Sequence, residues 1–285
     1  MIEVSGIRLS LDAALPENAG KQVAEVARSL GVSRHDVKSL TLTRKSVDAR
    51  KKSNVHFTTS FQVALPEALE HRLLEKAPKG LNVRAAKRYE PLSCPDCSAE
   101  VRETAPRSVV VGLGPAGLFA ALYLARCGLR PLVIERGFDV ERRAADIKAF
   151  HETGRLNPDS NIQFGEGGAG TFSDGKLTTN IKNPFAKHVL HWFVDAGAPE
   201  SILVEAHPHL GSDNLPGIVS TMRNEIIRRG GEVRFGTRLS GWRFEDGKLA
   251  SVELECAENP LCEEVPASEL VLACGHSARD VFELC

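Results

Sequence analysis

The sequence predicts an α/β protein in which a small α+β domain precedes a larger domain built on a parallel sheet. Residues 1–88 show the element order β-α-β-β-α-β, and at Ser108 the pattern changes to a buried strand, a glycine-rich turn and a helix. The length of 285 residues suits about two domains of ordinary size.

Composition supports a globular protein and excludes several other classes. With 42% hydrophobic and 26% charged residues the chain can bury a sizeable core, so it is neither disordered nor fibrous. A net charge of −1 provides no global field for nucleic acid or an anionic membrane. The uncharged stretch 108–125 resembles a membrane span only in length, because glycines and a proline break its first half. Met1 begins no signal-like segment and the 7 cysteines are an odd number, so we expect a cytoplasmic protein without a membrane partner.

Residues 1–88 are predicted to form a ferredoxin-like α+β domain. Alternating apolar residues with a slip at Ser5-Gly6 predict a bulged first strand, and Gly31 is a natural stop for the first helix. The expected elements are a strand at 2–11, a helix at 23–30, strands at 40–42 and 55–63, a helix opening at Pro66 and a strand at 81–83. This order is that of a split β-α-β unit.

A basic segment lies between the second and third strands. Its one acidic residue is Asp48, and its five basic residues are Arg44, Lys45, Arg50, Lys51 and Lys52. Such a segment can contact phosphate or nucleic acid. Because no aromatic residues are interleaved to stack on bases, it is more typical of a solvated hairpin whose lysines protect strand edges.

A proline-rich and charged linker is predicted over residues 89–107, and it contains Cys94 and Cys97 as a C-x-x-C pair. Such a pair can be half of a zinc site or a redox couple. Cys256 and Cys262 do not have the spacing of a second zinc half, and a redox pair normally opens a helix after a strand. We therefore expect an incidental or structural role.

The segment from Ser108 predicts a nucleotide-binding fold of the Rossmann type. Val109, Val110 and Val111 form a β-branched run typical of a strand buried on both faces, and residues 112–117 read G-x-G-x-x-G before a helical pattern. Gly112 allows the turn out of the strand, Gly114 lets a pyrophosphate approach the helix N-terminus, and Gly117 lets helix and strand pack closely.

A second strand at residues 131–134 ends on Glu135, where a carboxylate can accept hydrogen bonds from a ribose. A 2′-phosphate would meet like charge there, so the tightly bound nucleotide is not expected to be NADP. NAD and FAD both carry an ADP moiety, and the motif alone leaves both open. Arg142 and Arg143 follow, either as phosphate contacts or as part of a solvated helix face.

A second glycine-rich loop spans residues 165–176. Its backbone N–H groups can approach an anion or a ring system, Ser173 offers a hydroxyl, and Lys176 can neutralise phosphate charge. The alternative is a glycine-rich surface turn. The segment 207–209 holds two histidines at i, i+2, but no third ligand is evident, so no metal site is predicted.

Several segments carry a family resemblance. Residues 114–121 with Glu135-Arg136-Gly137 resemble the FAD-binding end of the glutathione-reductase-like flavoproteins. Residues 157–177 are similar to the signature of the bacterial uncharacterised FAD-dependent dehydrogenases, whose members place a small α+β domain ahead of the flavin domain. Residues 272–280 resemble that family's second nucleotide-contacting strand and turn, with Cys274 where related flavoproteins have threonine.

The resemblance implies FAD as cofactor, with NAD(P)H as a candidate electron donor, and points to Leu239 near the adenine. The predicted cofactor-binding residues are Gly112, Gly114, Pro115, Ala116, Gly117, Glu135, Arg136, Gly165, Gly167, Gly168, Ala169, Gly170, Ser173, Lys176, Leu239, Ala273 and Gly275. No catalytic residue is assigned. His276 follows the second turn, where a packing role is equally plausible.

These observations predict a FAD-dependent oxidoreductase (dehydrogenase) of unknown small-molecule substrate. The alternatives are a non-catalytic nucleotide- or RNA-interacting protein and a dehydrogenase that uses NAD alone, although the latter would give the second glycine loop no purpose. Related flavoproteins have a further C-terminal strand and an acidic turn, which the twelve residues after Ala273 do not provide. We therefore expect the FAD-binding domain, residues 108–285, to be incomplete and to hold FAD weakly or not at all, so that this chain by itself can be inactive.

Overall fold

The computed structural model describes residues 1–98, 105–211, 213–257 and 259–285, so residues 99–104 of the predicted linker lie outside the described residues. The chain divides into two compact units. The first comprises Met1–Pro91, Leu177–Leu190 and Pro199–Pro208. The second comprises Leu92–Lys176, His191–Ala198 and His209–Cys285.

The first unit contains a four-stranded antiparallel sheet in the order β2-β3-β1-β4. Its elements are β1 (Ile2–Leu9), α1 (Ala19–Leu30), β2 (Ser39–Asp48), β3 (His56–Ala64), α2 (Glu67–Glu75) and β4 (Asn82–Ala85). With β3 inserted between β1 and β2, this is the ferredoxin-like arrangement that the sequence predicts.

Local residue chemistry explains these elements. The pairing of β1 with β3 shifts between Ser5 and Ile7, where Gly6 has φ +94°. Gly31 ends α1 in the left-handed conformation with φ +64°, as predicted. Arg44 and Lys45 lie within β2 and not in the connection after it, which corrects the predicted position of the basic segment.

The second unit contains a six-stranded sheet in the order β7-β6-β5-β10-β9-β8. Its elements are β5 (Arg107–Val111), α3 (Pro115–Arg126), β6 (Leu132–Ile134), α4 (Val140–Thr153), α6 (Leu215–Arg228), β7 (Glu232–Arg234), β8 (Thr237–Glu245), β9 (Lys248–Cys256), β10 (Asn259–Leu272) and α7 (Arg279–Leu284), while α5 (Phe185–Asp195) has residues in both units. The parallel part runs β7-β6-β5-β10, which is the 3-2-1-4 order of a Rossmann-type sheet and confirms the predicted fold class.

Strand β10 joins two kinds of pairing. Its second part pairs in parallel with β5, and its first part pairs antiparallel with β9. The sequence predicted only the end of this strand, at residues 270–273. The hairpin between β8 and β9 turns at Asp246 and Gly247, with φ +50° and +74°, as expected for a type I′ turn.

The parallel strands lie at the centre of the second unit. Val109 and Val110 are fully buried, as are Leu132 and Val133 of the neighbouring strand. Burial on both faces explains the uninterrupted β-branched run that marked β5 in the sequence. Among the helices of the described ranges, none has both the length and the apolar character needed to cross a membrane.

Candidate nucleotide-binding site

A cavity of about 310 Å³ lies at the carboxyl ends of β5, β6 and β10. The chain continues from β5 to β6 and β7 on one side, whereas β10 pairs with β5 on the other side. The cavity is therefore at the topological switch point of the sheet, where open α/β folds bind their ligands. Val111, Ile134 and Ala273, at or just after the ends of the three strands, line it.

Three glycines between β5 and α3 have different roles. A Cβ on Gly112 would lie 2.7 Å from the Ala273 carbonyl oxygen, and a Cβ on Gly117 would lie 1.8 Å from the Gly112 carbonyl oxygen. These two glycines are required by the packing of the fold. A Cβ on Gly114 would have only the Gly168 Cα atom nearby, at 4.0 Å. The packing of the protein therefore does not require glycine at position 114. Because Gly114 has no side chain, that space stays open as part of the cavity.

The cavity includes the N-terminus of α3. Gly114 is the N-cap residue, with φ −68° and ψ −177°, and its carbonyl oxygen accepts a hydrogen bond from Leu118 N at 2.9 Å. Pro115 occupies the first helical position, and Ala116 also lines the cavity. The first N–H groups of a helix have no acceptor within the helix, and its dipole favours an anion there.

Glu135 lies at the tip of β6 and is only 6% exposed. Its two carboxylate oxygens accept hydrogen bonds from different backbone groups, Oε2 from Leu113 N at 2.7 Å and Oε1 from Gly137 N at 2.8 Å. These two donors fix the orientation of the carboxylate. Each oxygen keeps a further lone pair, so the group can still accept hydrogen bonds from hydroxyl groups in the cavity.

The second glycine loop forms the wall opposite the α3 N-terminus. Gly167 N donates to the Leu113 carbonyl oxygen at 2.7 Å, which joins this loop to the glycine-rich turn. Gly165 and Gly168 have φ +116° and +65°, and both line the cavity. A Cβ on Gly167 would lie 2.0 Å from Thr171 Oγ1, so that glycine serves the fold of the loop.

Arg143 of α4 stabilises this loop and the residues before it through hydrogen bonds to their backbone carbonyl oxygens. Its fully buried guanidinium donates to the carbonyl oxygens of Asn161, Ile162 and Glu166 at 2.8, 2.9 and 2.7 Å. Burial lowers the pKa of Arg143 to about 10, against the attraction of the Glu135 and Glu166 carboxylates. Both sequence interpretations of Arg143, a phosphate contact and a solvated helix face, are wrong.

Glu166 is a fully buried carboxylate in the same loop. Its Oε2 accepts a hydrogen bond from Val140 N at 2.9 Å and lies 3.3 Å from Arg223 Nη1. Its Oε1 has no hydrogen-bond partner among the residues that the structure describes. Burial raises the pKa of Glu166 to about 7, although the Arg223 guanidinium acts in the opposite direction. Sequence reasoning missed this group because glutamate in a glycine-rich loop is usually exposed.

Polar side chains that the sequence analysis did not assign also line the cavity. Gln163 Nε2 donates to Ser277 Oγ, which lies 3.3 Å from His276 Nε2. Arg136, which was predicted, pairs with Asp280 of α7, and its guanidinium lies 5.6 Å from the centre of the Phe164 ring. The Arg136 hydrogen bond holds the pKa of Asp280 below its usual range.

Twelve of the predicted residues line this cavity: Gly112, Gly114, Pro115, Ala116, Glu135, Arg136, Gly165, Gly168, Ala169, Leu239, Ala273 and Gly275. The other five are not in its lining: Gly117, Gly167, Gly170, Ser173 and Lys176. Ser173 Oγ donates to the Gly170 carbonyl oxygen at 2.7 Å within its own turn, and Lys176 Nζ lies 2.9 Å from Asp174 Oδ2. That pairing gives Lys176 a protein carboxylate as its counter-ion.

Two signals in the sequence point to the four cavity residues that were not assigned to the cofactor. Gln163 and Phe164 lie inside the quoted family segment, directly before Gly165. His276 and Ser277 follow Gly275, which lies three residues after the end of the parallel strand β10, at the same edge of the sheet as the first glycine turn. In a Rossmann-type sheet the residues just after such strands face the ligand crevice.

Comparisons with known proteins match the N-terminal part of the chain to a domain family and nearly the whole chain to an uncharacterised relative. Residues 1–64 match the model of a domain of unknown function (DUF8436). The chain is 41% identical over 284 residues to an uncharacterised protein of Clostridium beijerinckii, covering 99% of this chain and 50% of that protein. The chain therefore spans half the length of this curated relative.

Two solved structures are similar to part of the chain. THI4 of Thermovibrio ammonificans matches with a TM-score of 0.41 and 15% identity over 61% of this chain and 58% of its own. Glycerol-3-phosphate dehydrogenase of Bacillus halodurans, solved in complex with FAD, matches with a TM-score of 0.41 and 14% identity over 66% of this chain and 38% of its own. Because these scores are low, the fold class rests on the strand order described above.

Proposed function

We propose that the cavity of the second unit binds the ADP moiety of FAD and that the protein is a FAD-dependent oxidoreductase. The observation that carries this proposal is the open space at Gly114, bordered by a helix N-terminus and by the fixed carboxylate of Glu135. A pyrophosphate and a ribose are the two chemical groups that these neighbours suit.

The pyrophosphate would lie against the first turn of α3. The backbone N–H groups of that turn and the helix dipole favour negative charge, and Gly114 allows the closest approach to the backbone. Gly168 lies across from Gly114, since a Cβ on Gly168 would be 3.3 Å from the Gly114 Cα atom. The two glycine backbones are therefore in close contact at this edge of the cavity, and neither residue places a side chain over the first turn of α3.

Glu135 would bind the ribose of the adenosine half. Its carboxylate is already oriented by hydrogen bonds from Leu113 N and Gly137 N. It can therefore accept a hydrogen bond from a ribose hydroxyl without changing its own orientation. A 2′-phosphate at the same place would bring negative charge against a nearly buried carboxylate, which is strongly unfavourable. The site should therefore prefer FAD or NAD to NADP.

A bound flavin would supply two-electron transfer, and this chain would contribute binding and orientation. The polar group formed by Gln163, His276 and Ser277 lies in the same cavity lining and can hydrogen-bond a ligand there. NAD(P)H is the electron donor we propose.

Calorimetric titration of the whole chain with FAD, NAD and NADP tests the proposal. We expect FAD to bind weakly, ADP to compete with it, and NADP to bind at least about tenfold more weakly than NAD, because one charged contact is worth roughly 1.5–3 kcal/mol. Glu135→Gln should weaken FAD binding and reduce the discrimination against NADP. The matched control is Glu283→Gln, an exposed glutamate outside the cavity. Equal binding of NAD and NADP, or an unchanged FAD affinity in Glu135→Gln, would contradict the assignment.

A further inference from the structure

The C-x-x-C segment packs against the C-terminal end of α3. Tyr123 Oη donates to the Ser93 carbonyl oxygen at 3.2 Å, and Cys97 N donates to the Cys127 carbonyl oxygen at 2.7 Å. At Gly128, with φ +82°, a Cβ would lie 2.8 Å from Ser98 N. Three separate contacts therefore hold this proline-containing segment against the end of α3. The two cysteines thus lie in a segment with a defined position on the helix.

This packing brings three thiols together. Cys127 is 4% exposed, and Cys94 and Cys97 are half-buried beside it. Burial raises the pKa of the Cys127 thiol; the Tyr123 hydroxyl lowers it, and contact with the Cys94 thiol raises it again. The hydrogen bonds of Ser93 and Cys97 to the end of α3 place Cys94, which lies between them in the sequence, close to Cys127, although Cys94 and Cys127 are far apart in the sequence.

Among the described residues, this cluster does not have the ligand set of a metal site. Within the described parts of the chain, no group of His, Cys, Asp or Glu is arranged to hold a metal ion. A structural zinc site needs four ligands, whereas two neighbouring sulfur atoms are sufficient for a disulfide. The chemistry that these thiols can carry out together is oxidation to a disulfide.

We propose that Cys94 and Cys127 form a reversible disulfide. The half-buried Cys94 thiolate would attack a low-molecular-weight disulfide, forming a mixed disulfide and releasing one small thiolate. The Cys127 thiolate would then attack the Cys94 sulfur, forming the protein disulfide and releasing the second small thiolate. The two cysteines lose two electrons, the small disulfide gains them, and the two thiol protons finish on the released thiols.

The disulfide would connect two parts of the nucleotide-binding fold. Cys94 precedes β5, and Cys127 follows α3, whose N-terminus lies at the cavity. The closed loop therefore contains the whole strand, turn and helix of the G-x-G-x-x-G motif. Cross-linking a loop of this size restricts the unfolded chain and raises the melting temperature of the folded one.

Incubation of the whole chain in glutathione buffers of graded redox ratio tests this inference, with free thiols then blocked by N-ethylmaleimide and peptides mapped by mass spectrometry. We expect a cross-linked peptide containing Cys94 and Cys127, reversed by dithiothreitol, and a rise in Tm of roughly 5 °C or more. The disulfide is detected without flavin. A negative result would therefore disprove the disulfide without testing the proposed function.

Single variants identify the partners. Cys94→Ser in the surface segment and Cys127→Ser at the helix end should each abolish the cross-link, whereas Cys97→Ser should retain it. Cys262→Ser, an exposed cysteine on β10, is the matched control and should also retain it. The inference is overturned if the main product joins Cys94 to Cys97, if no disulfide forms, or if the same product forms equally well in denaturing urea.

Discussion

A methyl group added at Gly114 should weaken ligand binding without reducing the stability of the fold. In Gly114→Ala the new Cβ would be 4.0 Å from the nearest heavy atom, the Gly168 Cα, which is an ordinary contact. The backbone at Gly114 has φ −68° and ψ −177°, which any L-residue adopts. Stability should therefore stay the same or rise by about 0.4–1 kcal/mol, because alanine restricts the unfolded chain.

The effect on binding should be large. A phosphate oxygen that accepts a backbone hydrogen bond lies about 2.7–3.2 Å from the donor nitrogen, and a methyl group on the N-cap residue occupies that approach. Losing one charged hydrogen bond costs roughly 1.5–3 kcal/mol, which corresponds to a Kd about 10- to 100-fold weaker for FAD and for ADP.

Two neighbouring glycines serve as comparisons. Gly117→Ala would place a Cβ 1.8 Å from the Gly112 carbonyl oxygen, so we expect a loss of stability of about 3 kcal/mol or more together with lost binding. Gly170→Ala meets no atom within 4 Å and lies outside the cavity, so stability and binding should both be kept.

Thermal unfolding by circular dichroism and calorimetric titration with ADP measure the two quantities on the same samples. We expect Gly114→Ala to have an unchanged or higher Tm and weakened nucleotide binding. An ADP affinity equal to that of the wild type, or a Tm as low as that of Gly117→Ala, would refute this role of Gly114.

Three further predictions concern the loop beside the cavity. The pKa of Glu166 is raised to about 7 in the folded state, so the folded protein keeps a proton that the unfolded chain releases, and the free energy of unfolding should fall by about 3 kcal/mol between pH 4.5 and pH 7. Glu166→Gln should remove that fall in urea unfolding at pH 5 and pH 8, and parallel pH dependences in the two proteins would contradict it. Arg143→Met leaves three buried carbonyl oxygens without their donor, so urea unfolding should show a loss of about 3 kcal/mol or more, whereas the exposed neighbour Arg142→Met should lose under ~1 kcal/mol; equal losses would be inconsistent with the bracing role. Lys176→Ala should change the Kd for ADP less than about twofold, because this lysine pairs with Asp174 outside the cavity, and a tenfold loss would show that it reaches the phosphate.

Local chemistry made much of the fold predictable. The G-x-G-x-x-G turn, Glu135 at a strand tip and Gly31 after a helix are each recognisable within a few residues, because backbone conformation at these positions admits few residue types. The hairpin at Asp246 and Gly247 is of the same kind. Those signals are short in sequence, and the structure has the corresponding elements.

The remaining features depend on contacts between distant residues. Arg143 looks like a surface helix residue in the sequence, and only the returning loop at 161–166 buries it. Lys176 belongs to the same motif as the cavity residues, but Asp174 two positions earlier is its nearer partner. Cys127 is separated from Cys94 by the whole strand-turn-helix unit, so no spacing rule could have joined them.

Competition between FAD fragments tests the central claim most directly. We expect ADP to displace FAD from the folded whole chain in a competitive equilibrium titration, whereas FMN, which lacks the adenosine half, should not displace it. The claim would be contradicted if FMN displaced FAD while ADP had no effect, or if the folded protein bound neither ADP nor FAD.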